Sequence, residues 1–277
     1  MNVNTLNNNN NVYDSVVLPP RMADIALWVS SDYTSFDATH CDAMYDRSGR
    51  GNHLVQSTAI NKPKIGVTAN QFAGRRVIKF THDGGGAGRD DTLLLDVDTD
   101  MENVFGTIAS AITDPEFTIA MVINESSGST GTQNIFSIED NASPNNKVFV
   151  LRHTQGGGFR VNGDDATWDT SQIDYTQGTT VTNVSTLTDL GSSMEYHQWI
   201  AGVACDWDDA EIGVNYPCDP NTLFVSVTNY TTSIGATRTG SSEWLGEMGE
   251  CLVWKGAHSA AERTETLNYL RDKWDCA

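Results

Sequence analysis

From Ala23 onward the chain alternates between short apolar runs of period two and clusters of turn-forming residues, the spacing of half-buried strands. The runs predict strands at Ile25–Val29, Val77–Phe80, Thr92–Leu95, Phe117–Asn124, Gln133–Ile138, Val148–His153, Gly158–Asn162, His197–Cys205, Thr222–Thr228 and Gly246–Trp254. In the last of these, Met248, Glu250, Leu252 and Trp254 fall on one side and Gly249, Cys251 and Val253 on the other. Many short strands with no helices between them argue for an antiparallel sandwich and against βαβ units. One segment breaks the pattern. Ser259 stands three residues before Glu262, the capping-box spacing, and Ala260, Arg263, Leu267, Leu270 and Trp274 then share one helix face.

The connections are polar. Asp83–Gly88 and Glu125–Thr132 read as loops, and Asp164–Ser193 reads as a decorated insertion or an extra hairpin, in which Val181, Val184, Leu187 and Leu190 alternate weakly. Residues 1–20 are different material, with five consecutive asparagines (Asn7–Asn11) and a stop at Pro19-Pro20. The expected organisation is an extension arm over residues 1–21 and one sandwich domain over 22–277, a length that a single β-domain commonly reaches.

Several segments carry a resemblance. Ala23–Asp32 holds a Trp-containing first strand, Asp46–Asn52 reads D-x-S-G-x-G-N, Pro63 stands alone, and Gly74–Phe80 is a strand ending in Phe. With the closing strand and terminal helix from Gly246 to Trp274, this order resembles the laminin-G-like, concanavalin A-type jelly rolls of bacterial surface and phage virion proteins. The resemblance implies an all-β fold: an antiparallel β-sandwich (concanavalin A-like jelly roll) with a short C-terminal α-helix, here preceded by an extended N-terminal arm. Such sandwiches host many functions, so function must be argued from sites.

Charge narrows the partners. Against 17 basic residues stand 36 acidic ones, a net charge of −19, which opposes nucleic acid and anionic lipid alike. No signal peptide and no apolar run near the ~18 residues of a membrane span is visible, so the expectation is synthesis in a cytoplasm and residence in a virion. The five cysteines (Cys41, Cys205, Cys218, Cys251, Cys276) show no zinc spacing and read as reduced thiols.

Candidate chemistry is sparse. Asp46–Asn52 lacks the GxxxxGK[S/T] pattern of a phosphate loop and reads as a tight turn. Asp206, Asp208, Asp209 and Glu211 offer hard oxygens for Ca²⁺, yet a solvated acidic loop is the favoured reading, and no cofactor is assigned. The E-x-D-x-x-E pair of the β-glucanase branch is absent, and Glu247 and Glu250, three apart in a strand, are expected on opposite faces. No HExxH or GxSxG occurs, and the six histidines are scattered. No catalytic, cofactor-binding or metal-binding residue is therefore assigned. Trp28, Trp199, Trp254 and Trp274 fit core positions, while Trp168 and Trp207 stand in polar loops where a glycan would be met. The expectation is a non-enzymatic structural protein of a bacteriophage virion, a capsid decoration or appendage subunit. It would contact other virion proteins and itself as a homo-oligomer. The alternative is a carbohydrate-binding adhesin, on a phage tail or cell surface, that recognises host glycans, and a glycoside hydrolase ranks last.

Overall fold

The computed structural model describes residues 18–37, 39–67, 72–81, 91–95, 116–126, 133–140, 147–154, 158–162, 167–171, 177–189, 194–204, 230–236 and 243–276. The strands are β1 (Ile25–Ser30), β2 (Thr34–Asp37), β3 (His40–Met44), β4 (Leu54–Val55), β5 (Lys64–Val67), β6 (Arg76–Phe80), β7 (Leu93–Leu95), β8 (Phe117–Glu125) and β9 (Gln133–Asp140). They continue with β10 (Lys147–Thr154), β11 (Gly158–Asn162), β12 (Thr167–Ser171), β13 (Thr180–Asp189), β14 (Met194–Ile200), β15 (Val203–Ala204), β16 (Tyr230–Ile234) and β17 (Gly246–Lys255), and α1 (Ala260–Trp274) follows. Among the described residues every pairing is antiparallel. One layer runs β1-β17-β8-β13-β14 and the other β7-β16-β9-β10-β11-β12, joined at one side through β6, β5, β3 and β4.

Between the layers, Leu27, Val29, Met121, Ile123, Cys251 and Val253 meet Leu93, Phe136, Ile138, Leu151 and Ile234. The outer face of the first layer carries a second apolar cluster, Trp28, Val122, Val184, Leu252 and Trp254, roofed by Tyr269, Leu270 and Trp274 of α1. That roof explains why β1 is buried at all six positions and shows no polar side. The helix starts with the expected reciprocal cap: the Ser259 N–H donates to Glu262 Oε2 at 2.7 Å, and Ser259 Oγ accepts from the Glu262 N–H. Its buried face is Thr266, Tyr269, Leu270 and Trp274, while Ala260 is exposed.

Two strand expectations change. The span 164–193, read as an insertion, supplies β12 and β13, and β13 lies inside the sheet, paired with β8 from Thr180 to Leu187 and with β14 on its other edge. Its alternation is weak because both faces are buried: Val181 and Leu187 enter one cluster, Val184 the other. His197–Cys205 breaks at Ala201 and Gly202, whose φ of 51° and 76° turn the chain from β14 into β15. The strand expected at 222–228 lies outside the described residues, as do Cys205, Cys218, Trp207 and the acidic loop 206–211.

Of the predicted arm, residues 1–17 lie outside the described residues. Its last residues pack on the domain. Trp254 Nε1 donates to the Pro20 carbonyl at 2.9 Å, and the Arg21 guanidinium lies 3.4 Å from Glu262.

Candidate functional site

The site is built on a carboxylate that the core encloses. Glu250 on β17 has 0% exposure, and its Oε1 accepts from Trp28 Nε1 at 2.6 Å, Tyr269 Oη at 2.8 Å and Lys273 Nζ at 2.7 Å. Oε2 accepts from Trp274 Nε1 at 2.6 Å. A carboxylate costs several kcal/mol to bury unless its lone pairs are met, and four donors meet them here. Burial, then the adjoining Glu250 charge, pushes the Tyr269 phenol far above its usual range. Burial also lowers Lys273, against the upward pull of Glu250. The Tyr269–Glu250 pair is closed to solvent, and both carboxylate oxygens are already engaged.

Glu250 reaches this place through a β-bulge. The pairing of β17 with β8 slips between Met248 and Glu250, so Gly249 is an extra residue. Met248 therefore joins the inter-sheet core with Cys251 and Val253, while Glu250, Leu252 and Trp254 turn to the helix side. The expected grouping of Met248 with Glu250 is thereby corrected. So is the expectation that Glu247 and Glu250 oppose each other: both lie on the helix side, Glu247 facing Lys79 at 3.9 Å. The bulge must be glycine, since a Cβ at Gly249 would stand 2.8 Å from the Trp274 ring.

Above this knot lies a surface of rings and guanidinium groups. The Arg47 guanidinium lies over two rings, 4.0 Å from the Trp28 ring centroid and 3.8 Å from that of Tyr33. Tyr33 is 47% exposed and Tyr45 46%, and the Tyr45 N–H donates to the Tyr33 carbonyl at 2.9 Å, so the two residues stand side by side. Tyr45 meets the His53 ring edge-on at 5.4 Å. Arg75 pairs with Asp32 at 3.3 Å, and Arg76 lies over the exposed Phe36.

The D-x-S-G-x-G-N run holds Arg47 and Tyr45 in place. Asp46 accepts from the Trp28 N–H (2.9 Å), the Ser48 N–H (2.9 Å) and hydroxyl (2.6 Å), and the Asn52 N–H (3.0 Å). Asn52 Nδ2 donates to the Ala26 carbonyl at 2.6 Å and Arg50 Nε to the Ile25 carbonyl at 2.6 Å. Gly49 and Gly51 both take a φ of 84°. The run is thus a turn, as expected, and it also occupies the free edge of β1.

Of the tryptophans expected in the core, Trp28, Trp254 and Trp274 are buried; Trp199 is half-buried under the Arg263 guanidinium. Trp168 lies on β12, not in a loop. Tyr33 and Tyr45 were not anticipated; the signal was their place at the two ends of the β2–β3 hairpin, Tyr45 directly before the turn motif. Cys41, Cys251 and Cys276 are free thiols, and burial raises Cys41 to about 12. Among the described residues no group of acidic, His and Cys side chains is arranged to hold a metal ion, and no helix is long and apolar enough to cross a membrane.

No family model and no curated protein matches the sequence. Solved structures do. The chain is similar to the sialidase of Trypanosoma rangeli solved with a difluoro-KDN, with a TM-score of 0.56 and 11% identity over 92% of this chain and 34% of that one. It is similar to a mutant of that sialidase displaying trans-sialidase activity (TM-score 0.53, 10% identity, 92% and 34%). It is also similar to the binding domain of botulinum neurotoxin DC in complex with rat synaptotagmin II (TM-score 0.53, 9% identity, 90% and 51%). The chain spans about a third of the sialidases' length and about half of the toxin domain's. At such identities the likeness is one of fold, and it agrees with an antiparallel jelly-roll sandwich. It also corrects the expectation that the chain is not an enzyme. The similar sialidases are enzymes, and the opposite-face argument against Glu247 and Glu250 fails at the bulge, so the non-enzymatic reading is withdrawn.

Proposed function

We propose that the chain is a glycan-recognition module, an adhesin domain that a phage tail or a cell surface presents to its host. The observation that carries this reading is the exposed pair Tyr33 and Tyr45 at the two ends of the β2–β3 hairpin, 47% and 46% exposed, in a chain that buries Trp28, Trp244, Trp254 and Trp274. A half-exposed aromatic ring offers a flat apolar face on which the C–H face of a sugar packs, and the polar groups around it orient the hydroxyls. The surface is pre-ordered from below by the Glu250 knot and from the side by Asp46, so binding orders little further chain. Architectural likeness to sialidases and to a toxin binding domain supports recognition over a purely architectural role in a capsid. Residence in a virion, in several copies, belongs to the same proposal, since several weak glycan sites displayed together gain avidity.

The test is a printed glycan array read with wild type, Tyr33→Ala and Tyr45→Ala. Each substitution should weaken binding about tenfold while near-UV circular dichroism stays unchanged. Array signals indifferent to both substitutions would sink the reading.

A further inference from the structure

The ligand class follows from Arg47. We infer that the Tyr33–Tyr45 surface takes an acidic saccharide whose carboxylate is bound by the Arg47 guanidinium, an inference that rests on the glycan reading above. The guanidinium carbon stands 4.0 and 3.8 Å from the Trp28 and Tyr33 ring centroids, contacts that engage the group without using its N–H donors. Among the described residues no acceptor takes a hydrogen bond from them, and they are not buried.

Neighbouring cations are differently placed. Lys273 is held by Glu250 at 2.7 Å, Arg75 by Asp32 at 3.3 Å, and Arg50 by the carbonyls of Ile25 and Ala23 at 2.6 and 3.1 Å. The chain has 36 acidic residues against 17 basic ones, yet among the described residues Arg47 has no acid partner and stands beside two exposed tyrosines. A guanidinium fixed by stacking presents two parallel N–H donors at the spacing of a carboxylate, and its stem loses little freedom when they are used. A neutral sugar would leave that fork unmatched. Nucleic acid, which also carries anions, is disfavoured by the net charge of −19.

The experiment uses the full chain and matched glycan pairs: sialyllactose with lactose, oligogalacturonate with its methyl ester, and a sulfated lactose. The acidic member of at least one carboxylated pair should bind about 10- to 100-fold more tightly than its neutral partner, the range expected of a charge-assisted hydrogen-bond pair. Arg47→Gln should erase the difference, and Arg47→Lys should not restore it. The methyl-ester arm tests the same contact on wild-type protein, whatever the variants' stability. Equal binding within every pair, or tighter binding of the sulfated than of the carboxylated lactose, would overturn the carboxylate assignment and leave glycan recognition standing. No binding to any member, with none on the wider array, would overturn both.

Discussion

Trp28 donates its indole N–H to Glu250 Oε1 at 2.6 Å across 222 positions of sequence, so the first and last strands of the sandwich share one buried carboxylate. The same oxygen takes Tyr269 and Lys273 from the terminal helix. Strand, strand and helix are thus tied at a single atom, directly beneath the arginine that Trp28 also stacks.

Glu250→Ala should destabilise the fold by about 3–5 kcal/mol, because it strands a lysine and three neutral donors in a dry place. Urea unfolding followed by tryptophan fluorescence measures it. A loss below about 1 kcal/mol would mean that water replaces the carboxylate, and the enclosed knot would be wrong.

His258 predicts a pH dependence. Burial, with Arg21 second, lowers its pKa from 6.5 to about 4; Glu262 and Asp24 pull the other way, and Arg263 adds to the fall. The unfolded chain therefore takes up the proton first, and stability falls as pH drops from 6.5 towards 4. The contribution, on the order of 3 kcal/mol, is complete above pH 6.5. Glu262, held low by the Ser259 N–H, adds loss in the same direction. Comparing unfolding free energies at pH 7 and 4.5 for wild type and His258→Gln isolates the histidine share, which should vanish in the variant.

Asp46→Ala removes an acceptor from the Trp28, Ser48 and Asn52 N–H groups. It should cost about 1–3 kcal/mol and uncover the edge of β1. Thermal melting and size-exclusion chromatography read the two effects separately. A variant that melts like wild type and stays at its oligomeric size contradicts the edge-covering role.

Gly249→Ala drives a Cβ to 2.8 Å from the Trp274 ring and 3.0 Å from Phe72. Overpacking of this kind costs about 1–3 kcal/mol. The bulge fails as an explanation if the alanine variant unfolds at the wild-type urea concentration.

What was legible depended on range. The cap of α1 lay within four residues, Ser259 to Glu262, and its chemistry is local, so sequence sufficed. The turn at Asp46–Asn52 was legible for the same reason. The face assignments of β17 failed because one glycine shifts their parity, and the reason for that glycine is Trp274, 25 positions later in the chain. β13 was misread because a strand buried on both sides loses the polar alternation that marks one face. The stacking of Arg47 on Trp28 and Tyr33 needs the turn after β1 and the D-x-S-G-x-G-N run to meet, a contact that no local pattern encodes.

The pairing of β1 with β17 sets an order of events for synthesis. A ribosome exposes β1 more than two hundred residues before its partner strand and the helix that roofs it. Until then Trp28 has no acceptor and the first layer lacks its second strand, so the nascent sandwich stays open and slow-folding, dominated by non-local contacts. Truncation before β17 should therefore yield no smaller working domain, only a sticky intermediate for chaperones and proteases to clear.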